Sequence, residues 1–161
     1  KWLFNIEPEN IDVVIHPQSI IHSLVQFSDS SLKAQMGLPD MRLPIIYALS
    51  YPHRLPNTLK RFSFSDFPSL TFHAPDRDLF PCLDIAYHAI KAGGTLPCAM
   101  NAANEMAVNA FLEERIQFLQ IPYVIEQSMQ KTSFIQHPTI NDYISINNEA
   151  RSIANQITKN I

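Results

Sequence analysis

Glycine is scarce in this chain: 161 residues hold three, Gly37, Gly93 and Gly94. A dinucleotide fingerprint needs glycines for its tight turn and for close approach of the pyrophosphate, and a phosphate-binding loop needs a similar set. Neither can be assembled here, so any nucleotide must be held by residues outside this chain. Cysteine is nearly as rare. Cys82 and Cys98 show no CxxC spacing and no adjoining Cys and His pairs, which excludes a cysteine-built zinc site and a disulfide framework. They read as reduced and buried, in keeping with a reducing compartment. Charged residues make up 17% of the chain and the net charge is -3, against a broad basic face for nucleic acid. So few charges leave apolar surface for a second subunit, or a missing part of the same polypeptide, to cover. No apolar run nears the roughly 18 residues of a membrane span, and no signal peptide is visible, so no membrane partner is expected.

What the chain does have is a hydrophobic fraction of 46%, enough for an ordinary core and one or two small domains. KWLFNIEPEN reads as the tail of a helix and then a loop, the expectation for a piece cut inside an element. Residues 11–16, IDVVIH, are β-branched and continuous, which suits a strand buried on both faces. Pro17 lacks the N–H that a ladder needs. IIHSLVQFSD then alternates, SDSS marks a turn, and SLKAQMG follows as an antiparallel partner, so the pair reads as a hairpin. Pro39 and Pro44 bracket the loop PDMR, and Pro44 can open a short helix that Tyr51-Pro52 closes. Residues 53–80, rich in Pro, Ser and Phe, read as an ordered linker held down by burial of Phe62, Phe64, Phe67 and Phe72.

From Pro81 the spacing turns helical. Leu83, Ala86, Tyr87 and Ile90 share a face that ends at Gly93-Gly94. Thr95 can cap the next helix, with Ala99, Ala103, Met106 and Ala110 along its face. A third helix is expected over about 118–131. A fourth follows Thr139, broken near Ser145, with Ile146, Ala150, Ile153 and Ile157 inward. The fold class is α+β, a small mainly antiparallel sheet with short helices followed by a helical bundle. The expected division is 1–52, a linker over 53–80, and a four-helix bundle over 81–161.

Candidate chemistry concentrates in HPQSIIHS. Histidine exchanges protons near neutral pH and ligates metals. A corner at Pro17 would let His16 and His22 line one cleft beside Ser19. The plainer reading makes each a hydrogen-bonded structural residue. As a metal pair they are weak, since hard ions want carboxylates and zinc wants a third ligand. In GLPDMRLP, an Asp40–Arg42 ion pair holding the loop is the plain reading. A loop stiffened by two prolines could instead present the polarizable Met41 to a pocket. In NAANE, Asn101 and Glu105 lie four apart on a helix and read as satisfying one another or the backbone.

These stretches together carry a resemblance. KWLFNI, HPQSIIHS, QMGLPDMRLPI, SLTFHAPD, FPCLDIAYHAIKAGG and NAANEMAVNAFLEERIQFLQIP closely resemble the C-terminal part of the 1-deoxy-D-xylulose 5-phosphate reductoisomerase family. The likeness covers nearly the whole chain and is loosest in the last twenty or so residues. It implies a homodimeric enzyme of non-mevalonate isoprenoid biosynthesis that isomerises a phosphosugar and reduces it with NADPH, using Mg or Mn. It implies that Ser19 and His22 are substrate-binding cleft residues, with His22 supporting turnover, and that Met41 lies near the nicotinamide. The family's NADPH motif and metal ligands precede the matched part. No metal ligand is expected in this chain, no cofactor is expected bound to it, and by itself it is expected to be inactive. The compartment implied is a bacterial cytoplasm, with a plastid also open. Two alternatives belong to other classes: a non-catalytic dimerisation or scaffold module, and a histidine-based zinc module.

Overall fold

The computed structural model describes residue 1 and residues 3–161. Two compact units emerge, Val13–Pro75 in one and Lys1–Asp12 with Asp76–Ile161 in the other. The segment read as a linker is thus shared, 53–75 grouping with the hairpin and 76–80 with the helices.

The first unit is built on an antiparallel hairpin of β1 (Ile21–Gln26) and β2 (Leu32–Met36). Its turn is locked by Asp29, whose carboxylate accepts from the Ser31 backbone N–H and hydroxyl. The register slips by one between Ile21 and Ser23, which places His22 at a bulge. A bulge bends its strand and re-aims the extra side chain, so the simple alternation read from the sequence breaks at this residue. α1 (Arg42–Ser50) follows the PDMR loop, beginning two residues before Pro44, and the Tyr51–Pro52 peptide bond is cis.

The expected strand over 11–16 does not form. These residues contribute one bridge, Ile15 to His73, and Val13, Val14 and Ile15 are 40–50% exposed. A continuous apolar run shows that burial is wanted but not what supplies it, and here these side chains are only about half covered. The phenylalanines of 53–75 are only partly buried. Phe62 stacks on Phe67 and meets Phe64 edge-on, while Phe64 stays 74% exposed.

The second unit holds α2 (Cys82–Ala92), α3 (Leu96–Leu112), α4 (Ile121–Lys131) and α5 (Ile140–Lys159). α3 is central and packs on the other three. Its buried face is alanine throughout: Ala99, Ala102, Ala103, Ala107 and Ala110. With no side chain longer than a methyl, α4 and α5 approach closely and fill the space with Val124, Ile125, Ile146 and Ile157. α5 runs unbroken through Ser145, because Thr139 and Asp142 form a reciprocal capping box and the apolar spacing persists through the whole helix. The N-terminal segment joins this unit. The Tyr87 hydroxyl donates to the Ile11 carbonyl at 2.5 Å, and Lys91 lies 3.9 Å from Glu9. The helical tail expected at the start is not seen, since residues 3–5 form a turn; Trp2 lies outside the described residues.

Two details of the helices correct the sequence reading. Thr95 does not cap α3 with its side chain; its hydroxyl oxygen accepts from the Ile135 N–H at 3.0 Å and is buried. Both cysteines are free thiols, but Cys82 is exposed and Cys98 half-buried, because each falls on the flank of its helix, not on the inward stripe. Among the described residues no helix is long and apolar enough to cross a membrane.

Candidate functional site

A cavity of about 830 Å³ opens in the hairpin unit, walled by the start of β1, the PDMR loop and α1. Ser19 and His22 from one stretch of sequence and Met41 from another all line it. Each arrives by a different local device. Ser19 has φ +51°, in the left-handed region that non-glycine residues rarely enter. His22 occupies the bulge. Met41 is held out by its neighbours, since Asp40 accepts from the Arg42 backbone N–H at 3.0 Å and from its guanidinium at 2.6 Å. That ion pair confirms the plain reading of the loop. The hydrogen bonds from the Arg42 side chain and backbone hold the Asp40 carboxyl below its ordinary range. Met41 is left 72% exposed, offering a polarizable thioether to the cavity.

Three more lining residues were not singled out from the sequence: Tyr47, Tyr51 and Arg54. The tyrosines stand four apart and meet edge-on, and the Arg54 guanidinium lies 4.2 Å over the Tyr47 ring. That cation–π contact fixes a positive charge at the cavity wall. The i, i+4 tyrosine pair is a legible signal; Arg54, in a proline-rich stretch, gives none. The cavity thus combines a hydroxyl, an imidazole, a guanidinium and an aromatic and thioether wall. Such a set can bind a small anionic, hydroxylated molecule and move a proton at His22.

His16 is not among the lining residues. Its Nδ1–H donates to the Thr71 carbonyl at 2.8 Å and its ring stacks on Phe72 at 4.7 Å. Its Nε2 is buried, with no hydrogen-bond partner among the described residues. Asn101 donates to Glu105 at 2.9 Å in the helical unit, the satisfied pair read from the sequence. Among the described residues no three His, Cys, Asp or Glu side chains gather to hold a metal ion.

Residues 36–153 match the family model of the DXP reductoisomerase C-terminal domain. The chain belongs to the 1-deoxy-D-xylulose 5-phosphate reductoisomerase family. The reductoisomerase of Phocaeicola vulgatus is 51% identical over 96% of this chain, and that of Acetivibrio thermocellus 50% over 98%. The chain spans 40% and 42% of the length of these two curated relatives. Among solved structures, the Zymomonas mobilis reductoisomerase in complex with NADPH superposes with a TM-score of 0.90 at 40% identity, over 99% of this chain and 42% of that one. A reductoisomerase in complex with NADPH, fosmidomycin and magnesium gives 0.86 at 36% identity, over 98% and 41%. The α+β class expected from the sequence is that of these neighbours. The family match falls on the C-terminal domain, as the resemblance implied.

Proposed function

We propose that this chain forms the rear wall and the helical buttress of a 1-deoxy-D-xylulose 5-phosphate reductoisomerase active site. The reaction is isomerisation of the phosphosugar and its reduction to 2-C-methyl-D-erythritol 4-phosphate. The observation that carries the reading is the convergence of Ser19, His22 and Met41 on one cavity. On this reading the hairpin unit is the remainder of the connective catalytic domain and the helical unit is the C-terminal bundle. The compartment that goes with this reading is a bacterial cytoplasm.

Ser19 can hydrogen-bond a substrate hydroxyl or phosphate oxygen. His22 can hold or pass a proton at its ring. Met41, Tyr47 and Tyr51 give an apolar surface that excludes water from a reacting centre. NADPH, if bound, would supply hydride, and Mg or Mn would polarise the carbonyl. The donor set here does not fit either group completely. Three glycines do not make a dinucleotide fold, and no cluster of metal ligands exists among the described residues. On this reading the groups that hold them lie outside this chain.

A polypeptide extended upstream by the family's NADPH and metal-binding parts should oxidise NADPH when given substrate and Mn. His22→Ala in it should lower turnover at least about tenfold, the low end for a positioned acid–base group. Unchanged turnover would return His22 to a structural role.

A second reading, a dimerisation module, is favoured by one observation. Leu24, Val25, Phe27 and Leu32 on the hairpin, and Val13, Val14 and Ile15 before it, are 40–62% exposed. Apolar side chains left exposed in such number are a signal of an interface. The two readings are compatible, because an enzyme can use this surface to form a homodimer. Sedimentation equilibrium of the chain alone tests the second; a monomer at all accessible concentrations would reject it.

A further inference from the structure

The turn that presents Ser19 to the cavity is tied down on both sides. On its N-terminal side, the Gln18 carboxamide grips Thr71, 53 residues away in sequence. Its Nε2–H donates to the Thr71 hydroxyl at 2.9 Å and its Oε1 accepts from the Thr71 backbone N–H at 3.2 Å. His16 reinforces the same seam through the Thr71 carbonyl and the Phe72 ring, and Ile15 pairs with His73 beside it. On the C-terminal side, Ile20 is fully buried and its carbonyl accepts from the Gly37 N–H at 2.9 Å. Between the two anchors lies Ser19 with φ +51°, its N–H donating to the His16 carbonyl at 3.0 Å.

A serine gains nothing intrinsic from the left-handed region, and such a conformation persists only where the surroundings over-determine it. We infer that the Gln18–Thr71 clamp, seated on the His16–Phe72 stack, is a positioning device that holds Ser19 at the cavity for a hydroxylated, phosphorylated substrate. Gln18, Thr71 and His16 act through Ser19 and do not themselves line the cavity. Without the clamp, Gln18 is free to rotate, Ser19 relaxes to an ordinary φ, and its hydroxyl leaves the wall. The identity of the substrate rests on the reductoisomerase reading; the clamp itself does not.

The test therefore has two arms. In the first, the 161-residue chain and its Gln18→Leu variant are compared by NMR at the Ser19 backbone. The variant should lose the positive φ of Ser19 while the Ile20–Gly37 pairing stays. A Ser19 that keeps its conformation in Gln18→Leu overturns the clamp. In the second, the upstream-extended enzyme is assayed with 1-deoxy-D-xylulose 5-phosphate, NADPH and Mn. Gln18→Leu and Thr71→Val should each raise the KM for the phosphosugar about tenfold, with the KM for NADPH within about twofold of the parent, since small misplacements of a positioning group cost this much or more. Thr71→Ser, which retains the hydroxyl, should restore the parent KM. If both KM values and the unfolding midpoint shift together, the seam is only structural and the inference fails. If the parent enzyme does not turn over, the reductoisomerase reading falls, and the first arm still decides whether the clamp exists.

Discussion

Glu105 on α3 is ion-paired with Arg151 on α5, and its other carboxylate oxygen accepts from Asn101 one turn earlier on α3. The NAANE stretch, read from the sequence as a self-satisfied pair, is therefore also a strap between two helices. Hydrogen bonds from Arg151 and then Asn101 hold the Glu105 carboxyl below its ordinary value. In the window between its unfolded and folded values, the unfolded chain binds more protons, so stability rises with pH there. The contribution is present above the ordinary value of 4.5 and is lost as the pH falls through the lowered value. Glu105→Gln should flatten the acid limb of stability against pH, read by urea midpoints at pH 3 to 6. A limb unchanged in slope would show that the strap does not couple to folding. High salt should weaken the strap, since both side chains meet solvent.

The alanine face of α3 makes a sharper demand. Ala103 and Ala107 are fully buried in the core that α3 shares with α4 and α5. Ala103→Leu should cost about 1–3 kcal/mol through overpacking, measured as a lower denaturant midpoint with unchanged slope.

Thr95 pairs with Ile135 in both directions. Its N–H donates to the Ile135 carbonyl and its hydroxyl oxygen accepts from the Ile135 N–H, each at 3.0 Å. Thr95→Val keeps the volume but orphans the Ile135 N–H, at a cost of about 1–3 kcal/mol. Thr95→Ser should cost well under half of that. Equal losses for the two variants would assign the effect to the missing methyl and not to the hydrogen bond.

The two glycines after α2 should respond unequally. Both have positive φ, +70° at Gly93 and +53° at Gly94. A Cβ at Gly93 would meet open space, whereas at Gly94 it would fall 2.5 Å from the Ile135 carbonyl oxygen. Gly93→Ala should therefore carry backbone strain alone, about 1–2 kcal/mol, and Gly94→Ala distinctly more, with Tm as the readout.

Much of this molecule was open to local reasoning. The hairpin followed from alternation and the SDSS turn, and four helices from 3.6-residue spacing, Gly93-Gly94 and Thr139. These signals lie within a few residues of one another, so the chain states them directly. The family likewise rests on contiguous words such as HPQSIIHS and QMGLPDMRLPI. Ser19, His22 and Met41 could be named from those words.

What tertiary structure decided was every relation across distance. The bulge that re-aims His22 depends on β2, not on its own strand. Thr95 was drawn from capping by a carbonyl and an N–H forty residues away. The run over 11–16 has the composition of a buried strand, yet one bridge is all it forms here, because a strand exists only where a neighbour offers its ladder. The grip of Gln18 on Thr71 closes a loop of 53 residues, and no local propensity encodes the free energy of that closure. Sequence named Ser19, His22 and Met41, while packing brought Tyr47, Tyr51 and Arg54 to the same cavity wall.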